Sequence, residues 1–144
     1  MLKLKDIEDA WIADARAHIA EIKTVTTHEK EFDEQTLINL MPLMPFTLVR
    51  YAGTTPEETE RNADGSSGIK RRSLQLAVGA STLRSRKEGQ RGCYDILDDL
   101  RERYDGLTLV IGGVSITFVY DGDQLLFTDG TKVVYGMLLS YCDN

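Results

Sequence analysis

The sequence predicts an α+β domain, in which an antiparallel sheet of about five strands has helices packed on one face. Apolar residues recur every three or four positions near the amino terminus and again at 93–104, as in amphipathic helices. Apolar and polar residues alternate at 73–78 and from 115 onward, as in strands. The 144 residues suit a single domain, which we take as 1–144.

The amino-terminal part contains two predicted helices. An apolar stripe that includes Ile7 and Trp11 predicts a first helix running to about residue 22, with Asp6 as its N-cap. The β-branched run at 24–27 either ends this helix or forms a short extended piece. A second, short helix is predicted at about 33–40.

Two strands and two loops follow. Residues 46–51 are rich in β-branched and aromatic side chains and predict the first strand. The composition of 53–69 predicts a long loop, of the kind that is often functional or mobile. Residues 73–78 alternate as a second strand, and a basic loop occupies 84–91.

The third helix is predicted from its buried stripe. Cys93, Leu97, Leu100 and Tyr104 share one face of a helix that begins after Gly92. A glycine at 106 can end this helix because it adopts the left-handed conformation at little cost.

The carboxy-terminal part is predicted to consist of strands. Residues 115–120 and 124–128 form two of them, joined by a hairpin turn at 121–122. A second turn at 129–130 leads to the last strand at 132–142. Both faces of that last strand are apolar or small, so we expect helices to cover one face and a neighbour to cover the other.

The net charge of −6 is unevenly distributed. Residues 70–91 carry seven basic side chains and one acid, a net charge of +6, whereas each flank carries −6. This segregation indicates either a surface for an acidic partner, which a second copy could supply, or a solvated basic loop. The basic residues of this segment that we consider for contacts are Arg71, Arg72, Arg84, Arg86, Lys87 and Arg91.

Groups with catalytic potential are few. His18 and His28 lack further histidines at metal-binding spacing, and Cys93 lies on an apolar helix stripe. The glycine- and serine-rich run at 65–70 lacks the spacing of a phosphate-binding loop. We therefore expect a protein that is not an enzyme and has no catalytic residues, metal or cofactor. We also expect two reduced thiols, no membrane segment and synthesis in a cytoplasm.

The order of these segments resembles the tail terminator proteins of Mu-like phages and related phage-tail-like particles. The resemblance is carried by LQLAVGA at 74–80, the basic loop, GCYDILDDLR at 92–101 and the run of predicted hairpins after them. It covers most of the chain and is strongest over 73–105 and 115–141.

This resemblance implies a virion protein that forms a homo-hexameric ring at the head-proximal end of the tail tube. The ring would stop tube polymerisation and offer a head–tail joining surface. The implied partners are other copies of the chain, the tail tube protein and the sheath or neck proteins, with DNA only passing through. The loop at 53–69 is longer than in the shorter family members, so whether it contacts tube, sheath or connector stays open.

We hypothesise that the six basic residues named above contribute to subunit or tube contacts, and that the 53–69 loop orders on assembly. Two other classes of protein remain. One is a head-completion or connector protein of the same neck. The other is a small nucleic-acid-binding module, which is weakened because Tyr94 alone supplies an aromatic ring near the basic segment.

Overall fold

A computed structural model describes residues 3–19, 24–27, 34–40, 44–56, 70–81, 92–128 and 132–143. The protein has the predicted α+β architecture, with helices and a mostly antiparallel sheet. The helices are α1 (Leu4–His18), α2 (Glu34–Leu40) and α3 (Cys93–Tyr104). The strands are β1 (Thr24–Thr27), β2 (Phe46–Pro56), β3 (Lys70–Ala80), β4 (Thr108–Ile111), β5 (Val114–Thr117), β6 (Val119–Thr128) and β7 (Val133–Asp143).

The main sheet has five strands in the order β1-β2-β3-β7-β6. β1 is parallel to β2, and the other neighbouring pairs are antiparallel. β4 and β5 form a separate two-stranded hairpin. β2, β3 and β7 are therefore interior strands of the sheet, while β1 and β6 are its edges.

The larger core lies on the face of the sheet covered by α1 and α3, which we call the helix-side face. Leu74, Leu76 and Val78 point to this face because alternate residues of a strand share a side. They are buried in the same cluster as Ile7 and Trp11 of α1. The alternation predicted for 73–78 is thus confirmed.

A smaller core lies on the opposite face of the sheet, which we call the second face. Leu37 of α2 packs there with Phe46, Leu48, Ala77 and Val134. The expectation that helices share one face holds for α1 and α3, whereas α2 lies on the second face. This core covers one end of the second face only.

A row of aromatic rings joins the helices to the sheet. The ring centroids of Trp11 and Tyr104 are 5.3 Å apart, and those of Tyr104 and Phe118 are 6.0 Å apart. Phe118 continues the row to Tyr141, at 5.8 Å. All four side chains are almost fully buried, so the row fixes α1, α3, the end of the hairpin and β7 relative to one another.

The boundaries of α1 differ from the prediction. Lys3 is the N-cap residue and makes no side-chain capping hydrogen bond, while Asp6 lies inside the first turn. A carboxylate in the first turn interacts favourably with the helix dipole, just as one at the N-cap does. The presence of Asp6 therefore does not determine which residue is the N-cap. The helix ends at His18, and residues 24–27, which the sequence left undecided, form β1.

The first residues of the loop predicted at 53–69 lie in a strand instead. β2 continues to Pro56, and its partner β3 already begins at Lys70. A register shift just before Gly53 lets the two strands stay paired. Pairing with a neighbouring strand here overrides the loop-like composition. Residues 57–69 lie outside the described residues.

The hairpin turn predicted at Asp121 and Gly122 is wrong. Both residues lie inside β6, where the pairing with β7 is irregular and Gly122 has a φ of +127°. A glycine with positive φ occurs in β-bulges as well as in turns. The Asp-Gly dipeptide therefore does not distinguish a bulge from a hairpin turn. The chain reverses instead at Gly112 and Gly113, whose φ values of +57° and +80° are those of a tight hairpin turn.

The glycines proposed to flank the third helix are confirmed. Gly92 is the N-cap residue of α3, and Gly106 follows its end with a φ of +101°. The turn predicted at 129–130 lies outside the described residues, although β6 and β7 pair antiparallel as a connection there requires.

Candidate functional site

The two described arginines of the basic segment lie on opposite faces of β3. Alternation places Arg72 on the helix-side face and Arg71 on the second face. Arg72 is only 6% exposed, so it belongs to the interior of the folded chain. Arg71 is therefore the described member of the set that reaches the surface. Outside the described residues lie Arg84, Arg86, Lys87 and Arg91.

Arg71 joins three neighbouring strands on the second face. Its Nη2 donates to Asp121 Oδ1 of β6 at 2.5 Å, and its Nε donates to Ser140 Oγ of β7 at 3.1 Å. The Arg71 side chain is partly exposed, and the carboxylate that it binds is less so. The arginine thus neutralises the acid nearest to it on this face.

A groove of about 220 Å³ lies beside this ion pair. Gln75 of β3, Gly122 and Gln124 of β6, and Gly136 and Leu138 of β7 contribute to its lining. Leu138 is 42% exposed, although it belongs to an interior strand of the sheet. The part of the second face that α2 leaves uncovered is therefore a shallow surface with an apolar residue within it.

The edge of the main sheet at β6 has two pairing irregularities, one at Asp121 and one at Leu126. Next to the first, the Tyr120 hydroxyl donates a short hydrogen bond to Asp123 Oδ2. This hydrogen bond raises the pKa of Tyr120, with burial and the Asp123 charge adding to the effect. Bulges and charges on an edge strand hinder the addition of another strand.

A second polar group joins α1 to α3. Arg103 Nε and Nη2 each donate to one oxygen of Asp14 at 2.7 Å, and the Tyr104 hydroxyl donates to Asp14 Oδ2 at 2.6 Å. Burial alone would raise the pKa of Asp14, but the hydrogen bonds from Arg103 and Tyr104 and the arginine charge hold it below its ordinary value. Burial and the bond to the carboxylate raise the pKa of Tyr104, which keeps the phenol protonated as a donor.

Two of the remaining groups that the sequence singled out, His18 and Cys93, are bonded within the fold, whereas His28 and residues 65–69 lie outside the described residues. His18 Nδ1 lies 2.9 Å from the backbone oxygen of Asp14, and the Cys93 thiol lies against the carbonyl of Val78. Burial raises the pKa of Cys93 to about 12, so its thiol is protonated at neutral pH. Within the described ranges, no three His, Cys, Asp or Glu side chains are grouped as metal ligands.

One exposed apolar surface was missed by the sequence reasoning. Leu138 lies on the strand face that a neighbour was expected to cover, whereas the segment 108–114 was assigned no strand of its own. The signal for a hairpin in this segment was present: the ten residues at 108–117 are uncharged, and eight mostly β-branched or aliphatic residues surround a Gly-Gly pair. Val110 in this hairpin is 71% exposed.

Comparison of the chain with protein-family models and with curated proteins finds no match. Among the helices of the described part of the chain, none is long and apolar enough to cross a membrane. The described residues form an open sheet face, an exposed apolar hairpin and a bulged sheet edge whose acidic residues hinder strand addition.

Proposed function

We propose that this protein is a structural component of a phage tail or phage-tail-like particle that forms a ring and caps the head-proximal end of the tail tube. The resemblance of 73–105 and 115–141 to tail terminator proteins supports this proposal. The observation that carries it furthest is the open part of the second face, where Leu138 is exposed beside a groove. Apolar surface left uncovered in a single chain is typical of a surface that another subunit covers.

A ring of identical subunits requires a heterologous contact, in which two different surfaces of one chain meet. Capping adds a second requirement, because the outer side of the ring must not accept a further tube subunit. The edge strand β6 is suited to a surface that accepts no further tube subunit, since its bulges and acidic residues hinder strand addition.

The charge distribution supports the subunit contact. Arg84, Arg86, Lys87 and Arg91 lie between two acidic flanks, so the basic segment of one subunit can face an acidic surface of the next. We place these residues at subunit or tube contacts rather than in the channel, because a channel that conducts DNA should not bind it strongly.

Polymerisation of a purified tail tube protein with and without this protein tests the proposal. We expect this protein to shorten the tubes, to remain bound to them and to appear as a ring at one end in electron micrographs. A double reversal, Arg84→Glu with Arg86→Glu, should abolish capping. A matched control, Lys3→Glu with Lys5→Glu at the exposed start of α1, should leave it intact.

Three results would contradict the proposal. Unchanged tube length in the presence of the protein would exclude capping. Binding to portal-side proteins instead of the tube would assign it to the head-completion or connector class. Salt-dependent binding of DNA by the free protein would favour the nucleic-acid-binding class.

A further inference from the structure

We infer that Arg71 holds a bulge in the edge strand β6, and that this bulge keeps any further strand from pairing with that edge of the sheet. The inference goes beyond the proposed function, because it concerns the free chain and holds whatever the protein assembles with. It also gives Arg71 a role within its own chain, in place of the subunit or tube contact expected from the sequence.

The two edges of the main sheet differ in length. β1 has four residues, whereas β6 has ten. Strands most often have about 5–6 residues, so β6 is a long edge strand. A long edge presents a row of backbone N–H and C=O groups with which another chain can pair. Protection against strand addition therefore matters more at β6 than at β1.

β6 departs from a regular ladder at two residues. Tyr120 and Gly122 pair with consecutive residues of β7, which leaves Asp121 as an extra residue between them. Leu126 is left out of the ladder in the same way. Gly122 has a φ of +127°, a conformation that residues with a side chain rarely adopt. Each extra residue bends the strand and interrupts the regular spacing of its backbone groups.

Both extra residues turn onto the second face, and each is held there by a contact from outside β6. The Asp121 side chain is 23% exposed and accepts the hydrogen bond from Arg71 Nη2 at 2.5 Å. Leu126 lies over Gly136 of β7, where an added Cβ would be 3.1 Å from Leu126 Cδ1, and it packs against the core of the second face. These contacts fix where along β6 the two bulges occur.

Arg71 reaches its partner across an intervening strand. Neighbouring strands are about 4.8 Å apart, so the backbones of β3 and β6 are about 10 Å apart. Over β7, Arg71 Nε donates to the hydroxyl of Ser140 at 3.1 Å, and Ser140 is buried. This bond orients the guanidinium, and the charged hydrogen bond to Asp121 then secures the bulge. A neutral residue at either end of the ion pair would lose that contact.

The first experiment removes the ion pair and keeps the bulge residue. Arg71→Met with Asp121→Asn leaves the net charge at −6. We expect amide hydrogen exchange in 119–124 to become at least tenfold faster than in the native chain, while exchange in 74–78 of β3 is unchanged. The matched control is Lys5→Met with Asp9→Asn, at two exposed positions of α1. It should not alter exchange in β6.

The second experiment removes the bulge itself. Deletion of Asp121 together with Arg71→Met also keeps the net charge at −6, and every pair between β6 and β7 can still form. Circular dichroism should show a folded protein. At high concentration, light scattering should give a larger mass than the native chain has at the same concentration. Exchange in 119–128 should be at least tenfold slower there than in dilute solution, because the straightened edge pairs with a further strand.

Three results would overturn the inference. Unchanged exchange in 119–124 after loss of the ion pair would mean that Arg71 does not hold the bulge. A deletion variant with the same mass as the native chain at every concentration would mean that the bulge does not protect the edge. A deletion variant that does not fold would mean that Asp121 is not an extra residue in the ladder.

These experiments fail separately from the tube-capping experiment, because they use the free protein without a tail tube protein. Native protein that shortens tubes, together with variants that behave as the native chain does, would keep the proposed function and overturn this inference. Faster exchange and association of the two variants, without capping by the native protein, would do the reverse.

Discussion

Asp14 in α1 accepts two parallel hydrogen bonds from the guanidinium of Arg103 in α3, each 2.7 Å long. The carboxylate side chain is only 9% exposed, and Tyr104 donates a third hydrogen bond to it. The residues are 89 positions apart in the chain, so the pair fixes the two helices against each other over the sheet. The base of the β4–β5 hairpin packs against these helices through the ring contact between Tyr104 and Phe118.

Replacing Asp14 by Asn should destabilise the fold by about 1–3 kcal/mol, because the neutral amide cannot accept the charged, two-pronged hydrogen bond. Urea unfolding followed by the fluorescence of Trp11, the single tryptophan, measures the change. Arg101→Ala is the control, since Arg101 pairs with Asp98 at 2.8 Å on the exposed surface of α3. That pair should contribute no more than about 1 kcal/mol. Equal effects of the two substitutions would contradict this interpretation.

The stability difference between the native chain and Asp14→Asn should depend on pH. Because the pKa of Asp14 is lower in the folded state, its contribution is complete above the unfolded value of about 3.9. It should be lost as the pH falls through the lower folded value. Unfolding free energies measured between pH 7 and the acid limit of folding check this, and a difference that stays constant over that range would disprove it.

Gly79 leaves room for an aromatic ring on the second face. A Cβ at this position would lie 2.4 Å from Cζ of the buried Phe46. Gly79→Ala should therefore destabilise the fold by about 1–3 kcal/mol through overpacking. Gly136→Ala is the matched control, because its Cβ would meet Leu126 Cδ1 at 3.1 Å, where a smaller adjustment suffices. If both substitutions had the same cost, the close approach to Phe46 would not be the cause.

The two cysteines should differ in reactivity. Cys142 is exposed, whereas Cys93 is buried and its pKa is raised to about 12. Since the thiolate is the reactive form, an aromatic disulfide reagent should modify one thiol per native chain and the second only after unfolding. Cys142→Ser should abolish the fast reaction. Rapid modification of two thiols in the native protein would contradict the burial of Cys93.

The periodic parts of the chain could be predicted from the sequence. The stripe of Cys93, Leu97 and Leu100 and the alternation of Leu74 and Leu76 are local patterns that burial imposes on helices and strands, and they are found in the structure. The same patterns led to the correct α+β class.

Features that depend on distant partners could not be predicted. Asp121 and Gly122 read as a turn, and the irregular pairing of β6 with β7 turns them into a bulge. The Asp14–Arg103 pair and the placement of Arg72 in the interior follow from which elements become neighbours. The groove at Leu138 is likewise a property of the assembled sheet, since the composition of β7 indicates that a neighbour covers this face but not which part of it α2 leaves open.

We propose that this protein terminates a tail tube, and deletion of its gene tests this proposal. Electron microscopy of the particles produced without it should show overlong tails that lack heads, because polymerisation has no stop and the joining surface is missing. Tails of normal length in its absence would contradict the claim.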